Sequence, residues 1–247
     1  MGKGYILLTY AVAIAALGQA PEATTIDVRL PSNTLVREDV FAGIMNGDLA
    51  RLSDGEKTVD YLLEHGRATD RSGLLAWKGS ITLYRAVLAR EQNKEGEWDS
   101  KYKQALDLFA EAKRMTPDDI GVNAQMGISF LLLNNRLPEA YRASANSAAY
   151  EAYQVIRRVQ PPKFEKMPVH EKGEVLSGMA ESALRTGHSE EAQKYLDEII
   201  RLVPDSPYAV MANKWKQNPE LVGSTHLVCQ TCHEPGRLAA KRAALAR

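Results

Sequence analysis

Residues 175–204 read VLSGMAESALRTGHSEEAQKYLDEIIRLVP, and this stretch decides the fold. Leu176, Met179, Ala180 and Ala183 recur at three- and four-residue intervals, which puts them on one face of an α-helix. Thr186-Gly187-His188 then breaks the pattern as a turn. Ser189 is placed to cap a second helix, with Glu190 and Glu191 in its first turn, where the helix dipole favours carboxylates. That helix carries Ala192, Leu196 and Ile199 and stops before Pro204, which has no N–H to donate. The stretch predicts two antiparallel helices joined by a short turn.

The second-helix pattern occurs twice more. Ala105, Phe109, Ala112 and Pro117 keep the same intervals, and so do Ala149, Tyr153, Ile156 and Pro161. A small residue lets two helices approach, and a large one four positions later fills the space between them. First helices are expected from Leu75 to Leu88, with Trp77 and Gly79, and from Val122 to Leu133, with Met126, Gly127 and Phe130. Tandem helical hairpins predict an all-α chain in which each unit packs mainly on its neighbours.

Over about residues 73–216 the pattern resembles the tetratricopeptide repeat family, whose units run through an aromatic, a Leu-Gly pair, a Tyr, an Ala, a Phe and a closing Pro. Unit 175–204 keeps that repeat's spacing, with Ala180 and Ala183 in place of Gly and Tyr. The other two are longer. Pro117, Pro161 and Pro204 lie 44 and then 43 residues apart, against a repeat of about 34. The excess falls in a polar insertion at Arg90–Ser100, a lengthened alanine-rich helix around Arg142–Tyr150 and a Pro161-Pro162-Lys163 linker. A variant helical-hairpin array with longer units stays open as an alternative. The resemblance implies a short solenoid of tetratricopeptide-like hairpins over residues 73–217, whose concave groove takes a protein or peptide partner. Residues 33–72 are expected to cap it as a helix pair over 38–64, with Phe41 and Ile44 on one helix and Val59 and Leu62 on the other, around a turn at Ser53-Asp54-Gly55. Residues 207–217, with Tyr208, Met211 and Trp215, cap the far end before Asn218-Pro219 stops the helix.

Residues 1–20 have the layout of a secretory signal peptide: Lys3, an uncharged and mostly apolar run from Tyr5 to Leu17, then small residues. Cleavage after Gly18 is favoured over cleavage after Ala20, which would set Pro21 beside the bond; an uncleaved membrane anchor is the alternative. The expected location is periplasmic or secreted.

Residues 218–247 hold the only two cysteines, in Cys229-Gln230-Thr231-Cys232-His233. C-x-x-C-H is the attachment signature of a c-type haem. Cys229 and Cys232 would be the thioether anchors to the haem vinyl groups, and His233 the proximal iron ligand. Export supports this reading, because covalent haem attachment in bacteria takes place outside the cytoplasmic membrane. An oxidising compartment equally allows a local Cys229–Cys232 disulfide. A zinc site of His226, Cys229, Cys232 and His233 is the third possibility, disfavoured because adjacent Cys232 and His233 reach one tetrahedral ion awkwardly. The 28 residues after Pro219 are fewer than a self-contained cytochrome domain uses. A haem here is therefore expected to be partly exposed, shared across a dimer or pressed against the last hairpins, with Met211, His188 or His170 as second axial ligand. Arg237–Arg247 reads as a short basic helix that could cover the haem edge with Leu238 and Leu245 and balance the propionates with Arg237 and Lys241.

Lys+Arg and Asp+Glu balance at 31 each, so no net field points to nucleic acid. Glu56-Lys57-Thr58 after Gly55 lacks the upstream glycine and strand of a phosphate-binding loop, and no Ser/His/Asp grouping suggests a hydrolase. The expected role is that of an exported binding scaffold with one haem c, an electron-transfer or docking subunit of an envelope redox assembly. A haem-free scaffold, or an open-iron enzyme or gas sensor, are the alternatives.

Overall fold

Every helix that the hairpin pattern predicts is present in the computed structural model, which describes residues 26–27, 29–159, 166–229 and 236–245. Among these residues there are ten α-helices and no strand. In order they are α1 (Ser32–Asn46), α2 (Leu49–His65), α3 (Arg71–Glu91), α4 (Glu95–Met115), α5 (Ile120–Leu133), α6 (Glu139–Val159), α7 (Val169–Arg185), α8 (Ser189–Leu202), α9 (Pro207–Gln217) and α10 (Arg237–Leu245). Residues 1–20, with the expected signal peptide, and Pro161-Pro162-Lys163 lie outside the described residues.

The helices pair as α1/α2, α3/α4, α5/α6 and α7/α8, with α9 closing the last pair. The odd-numbered helices also pack on one another in succession, whereas the even-numbered ones pack mainly on odd ones. Two layers joined closely on one side only make an array that curves, with α1, α3, α5 and α7 on its inner face.

Small and large residues set the approach of each pair as their spacing predicts. Ala105, Ala149 and Ala192 are completely buried in α4, α6 and α8. A Cβ added at Gly79 would meet the Phe109 ring at 2.8 Å, and one at Gly127 would meet Tyr153 at the same distance. Tyr153 also reaches the next hairpin, where a Cβ at Gly178 of α7 would fall inside its ring. One aromatic side chain on α6 thus sets the distance to both α5 and α7.

Three local expectations are corrected. Ser53-Asp54-Gly55 lies inside α2, not between helices. The turn comes earlier, where Gly47 takes a left-handed φ of 69° and Asp48 accepts the N–H of Arg51 to cap α2. Gly55 stays helical because its missing side chain admits Val40 of α1, 3.0 Å from where a Cβ would sit. The polar insertion at 90–100 is mostly helix: α3 and α4 run 21 residues each and turn at Gln92-Asn93-Lys94. His188, not Ser189, is the N-cap of α8, because Gly187, at φ 81°, extends the turn by one residue. None of the helices among the described residues is long and apolar enough to cross a membrane.

Candidate functional site

Two glutamates on α7, Glu174 and Glu181, are 8 % and 0 % exposed. Seven residues are about two helical turns, so both project from one face. They hold the chain that leaves α9. Glu181 Oε2 accepts the backbone N–H of Leu227 at 2.7 Å, and its Oε1 pairs with Arg185 at 2.9 Å and with His226 Nδ1 at 2.8 Å. Glu174 accepts the N–H of Cys229 at 2.9 and 3.1 Å and the hydroxyl of Tyr208 at 2.5 Å. Thr225 fixes the start of this segment by accepting from Trp215 Nε1 at 2.9 Å. Leu227 and Val228 are buried with it.

The two carboxyls are tuned in opposite directions. Burial opposes ionisation of Glu181, but the hydrogen bond and charge of His226, with the Arg185 guanidinium and the Leu227 N–H, hold it below the usual carboxylate range. At Glu174 burial dominates, and with the nearby Glu181 charge it raises the carboxyl despite donors from Tyr208 and Cys229.

This scaffold places Cys229. Its backbone sits at φ 60°, in the left-handed region that few non-glycine residues adopt, and the residue is buried. It forms part of the wall of a cavity of about 380 Å³ bounded by α1, α3, α5 and α7. Phe41 and Trp77, edge to face at 5.3 Å, line an apolar side with Val122 and Ile128. Arg37 supplies a cation, Glu174, Asp70 and Asp119 supply carboxylates, and His170 an imidazole.

Beyond the cavity the chain ends on the first helix pair. The N–H groups of Gly236 and Leu238, at the start of α10, donate to Glu38 of α1 at 3.0 and 2.9 Å. Arg51 steadies that carboxylate at 3.0 Å, and Lys241 reaches Thr34. The C-terminal segment is therefore held on α7 through residues 226–229 and on α1 through residues 236–238.

Of the residues singled out in the sequence, Cys229 is in the cavity wall, while Cys232 and His233 lie outside the described residues. His170 shares the cavity. Met211 is half-buried on α9 and packs on the core, and His188 stacks on Tyr150 of α6 at 4.3 Å. His226 is taken up by Glu181. Among the described residues no three His, Cys, Asp or Glu side chains are grouped to hold a bare metal ion. Leu238 packs against the core.

A haem is flat, mostly apolar and carries two carboxylates, and the residues present fit it. One thiol of the C-x-x-C-H is in the wall, Phe41, Trp77, Val122 and Ile128 give it an apolar side, Arg37 would pair with a propionate in a wall that also holds Asp70, Asp119 and Glu174, and the volume lies in the range of ligand pockets. Glu174 and Glu181 escaped the sequence reading, and Tyr208 entered it only as part of the far cap; the only signal was two acidic residues seven apart, on a face of α7 that also carries Ser177, Gly178 and Arg185.

No family model, no curated protein and no solved structure matches this chain.

Proposed function

We propose that the chain is an exported haem protein, in which the inner face of a tetratricopeptide-like array seats one covalent haem c. Cys229 and Cys232 are the thioether anchors and His233 the proximal iron ligand. The observation that carries this reading is Cys229 itself. A non-glycine residue in the left-handed region, its N–H fixed by a buried carboxylate, stands in the wall of a cavity. Strained backbone of this kind persists where the surroundings over-determine it, as they do around functional groups. The short segment after Pro219 borrows its walls from four helices and needs no domain of its own. Seated there, the haem would supply a one-electron couple, and the chain's residues exclude water from it and set its electrostatics. The role is that of an electron-transfer or docking subunit of an envelope redox assembly, with a protein partner at the groove.

A second reading has its own observation. The tail is tied at both ends by Glu174, Glu181 and Glu38, contacts that involve no cofactor. On that reading the chain is a haem-free periplasmic scaffold for protein–protein assembly, with its C-terminal segment anchored on α7 and α1.

The separating experiment is a denaturing haem stain of the full chain exported from a host with c-type maturation machinery, beside Cys229→Ala/Cys232→Ala. Stain in the parent and none in the control is expected. A colourless, correctly exported parent leaves the scaffold reading.

A further inference from the structure

The cavity bounded by α1, α3, α5 and α7 has one end built from helix starts. Each of the four helices lines it with a residue of its own first turn: Ser32 of α1, Ser72 of α3, Gly121 of α5 and His170 of α7. Four positive dipole ends therefore border one space. α1 and α7 begin after Pro31 and Pro168, and no side chain caps either helix.

Arg37 of α1 stands half-buried in the same wall. Among the described residues no carboxylate pairs with it and no acceptor takes its N–H groups. The wall's own carboxylates are engaged elsewhere. Asp70 pairs with Arg67 at 2.8 Å, Asp119 accepts the Val122 N–H at 2.8 Å, and Glu174 accepts from Cys229 and Tyr208. Ser72 is 6 % exposed, and among the described residues its hydroxyl has no hydrogen-bond partner. Such unmatched donors cost free energy that an incoming acceptor recovers. A guanidinium fork matches the two oxygens of a carboxylate. A singly charged group also suits a wall with three carboxylates better than a doubly charged phosphate does. Elsewhere in the wall Phe41 and Trp77, 4 % and 5 % exposed, offer a flat molecule an aromatic side.

We propose that this end of the cavity is a carboxylate site, in which Arg37 and the Ser72 hydroxyl bind the carboxylate of a flat, apolar molecule whose body lies against Phe41 and Trp77. That chemistry has two sources, a haem propionate or a free aromatic carboxylate. Only the first rests on the haem reading above.

The test uses the full chain exported from a host without c-type maturation machinery, with helicity checked by circular dichroism, and naphthoate and its neutral isostere naphthamide as calorimetric probes. The parent should bind the acid at least about tenfold more tightly than the amide. Arg37→Gln should abolish that preference and keep the affinity for the amide. Ser72→Ala should weaken the acid a few-fold, and Arg114→Gln, on exposed α4 surface, should match the parent. A folded parent that does not bind naphthoate, equal binding of the two probes, or a preference that survives Arg37→Gln overturns the site.

The same chain made with maturation machinery separates the sources. In a stained parent, exclusion of naphthoate together with a lower midpoint potential in Arg37→Gln, but not in Arg114→Gln, assigns the site to a propionate, because a cation beside the haem is lost. Naphthoate that still binds the stained chain assigns it to a free carboxylate. Exclusion with no change in potential overturns the proposal. A colourless parent removes the haem reading alone, and the carboxylate site then stands or falls on the naphthoate titration.

Discussion

The backbone N–H of Cys229 donates to both oxygens of Glu174, at 2.9 and 3.1 Å, across 55 residues of sequence. A buried carboxyl on α7 thus positions the first thiol of the C-x-x-C-H, and its protonation couples pH to stability. Burial raises the Glu174 carboxyl, so in the window between its ordinary and its folded value the folded state alone holds the proton. Its cost is absent below the ordinary carboxylate range and grows as pH rises through that window. Glu174→Gln keeps an acceptor and removes the titration. Relative to the parent it should gain stability as pH rises above the ordinary carboxylate range, read from urea midpoints. A parallel pair of profiles contradicts this.

Glu181 has the opposite sign. Burial resists its charge, yet His226 and Arg185 hold the carboxyl below the ordinary range, so its contribution is full above that range and is lost as pH falls through the lowered value. Removing it leaves Arg185, whose side chain is 5 % exposed, and the Leu227 N–H without their partner. Glu181→Ala should cost about 3–5 kcal/mol at neutral pH. Glu181→Leu with Arg185→Met should cost less than the single change, because no buried charge is left alone. Urea unfolding of the single and double variants checks both figures.

Gly178→Ala should cost about 1–3 kcal/mol, since its methyl group would enter the ring of the fully buried Tyr153. Gly96→Ala, with open space around it in α4, should be neutral or stabilising by up to about 1 kcal/mol. Equal behaviour of the two would contradict the role of Tyr153 as the spacer between α5 and α7.

The hairpins were legible in the sequence because their determinants are local. Gly127 and Tyr153, or Gly79 and Phe109, belong to the two helices of one hairpin, and the spacing alone pairs them. The first turn was misread because Gly55 looks like a breaker, whereas close contact with Val40 keeps it helical and Gly47-Asp48 makes the turn. Cys229 was legible through the motif, but its surroundings were not. Glu174 and Glu181 bond to a segment about fifty residues away that has no periodic pattern, and α10 meets Glu38 across 200 residues. Nothing local encodes such contacts.

Glu38 closes the tail onto α1. Burial opposes its charge, but the Gly236 and Leu238 N–H groups and Arg51 keep the carboxyl below its ordinary value, in the manner of a helix cap supplied from elsewhere in the chain. Glu38→Ala should cost about 1–2 kcal/mol, the range of a lost cap. Amides of α10 should exchange faster in hydrogen–deuterium exchange, while those of α7 should keep their protection. Unchanged exchange in α10 would mean that Glu38 does not hold the tail.

The central claim is most directly tested by intact and peptide mass spectrometry of the exported chain made beside c-type maturation machinery. Trypsin cuts after Lys216 and Arg237, and the peptide between them contains Cys229, Cys232 and His233. The account predicts the mass of one haem added to the chain and localised to that peptide. A mature chain of unmodified mass, or one lighter by only the two hydrogens of a Cys229–Cys232 disulfide, would contradict it.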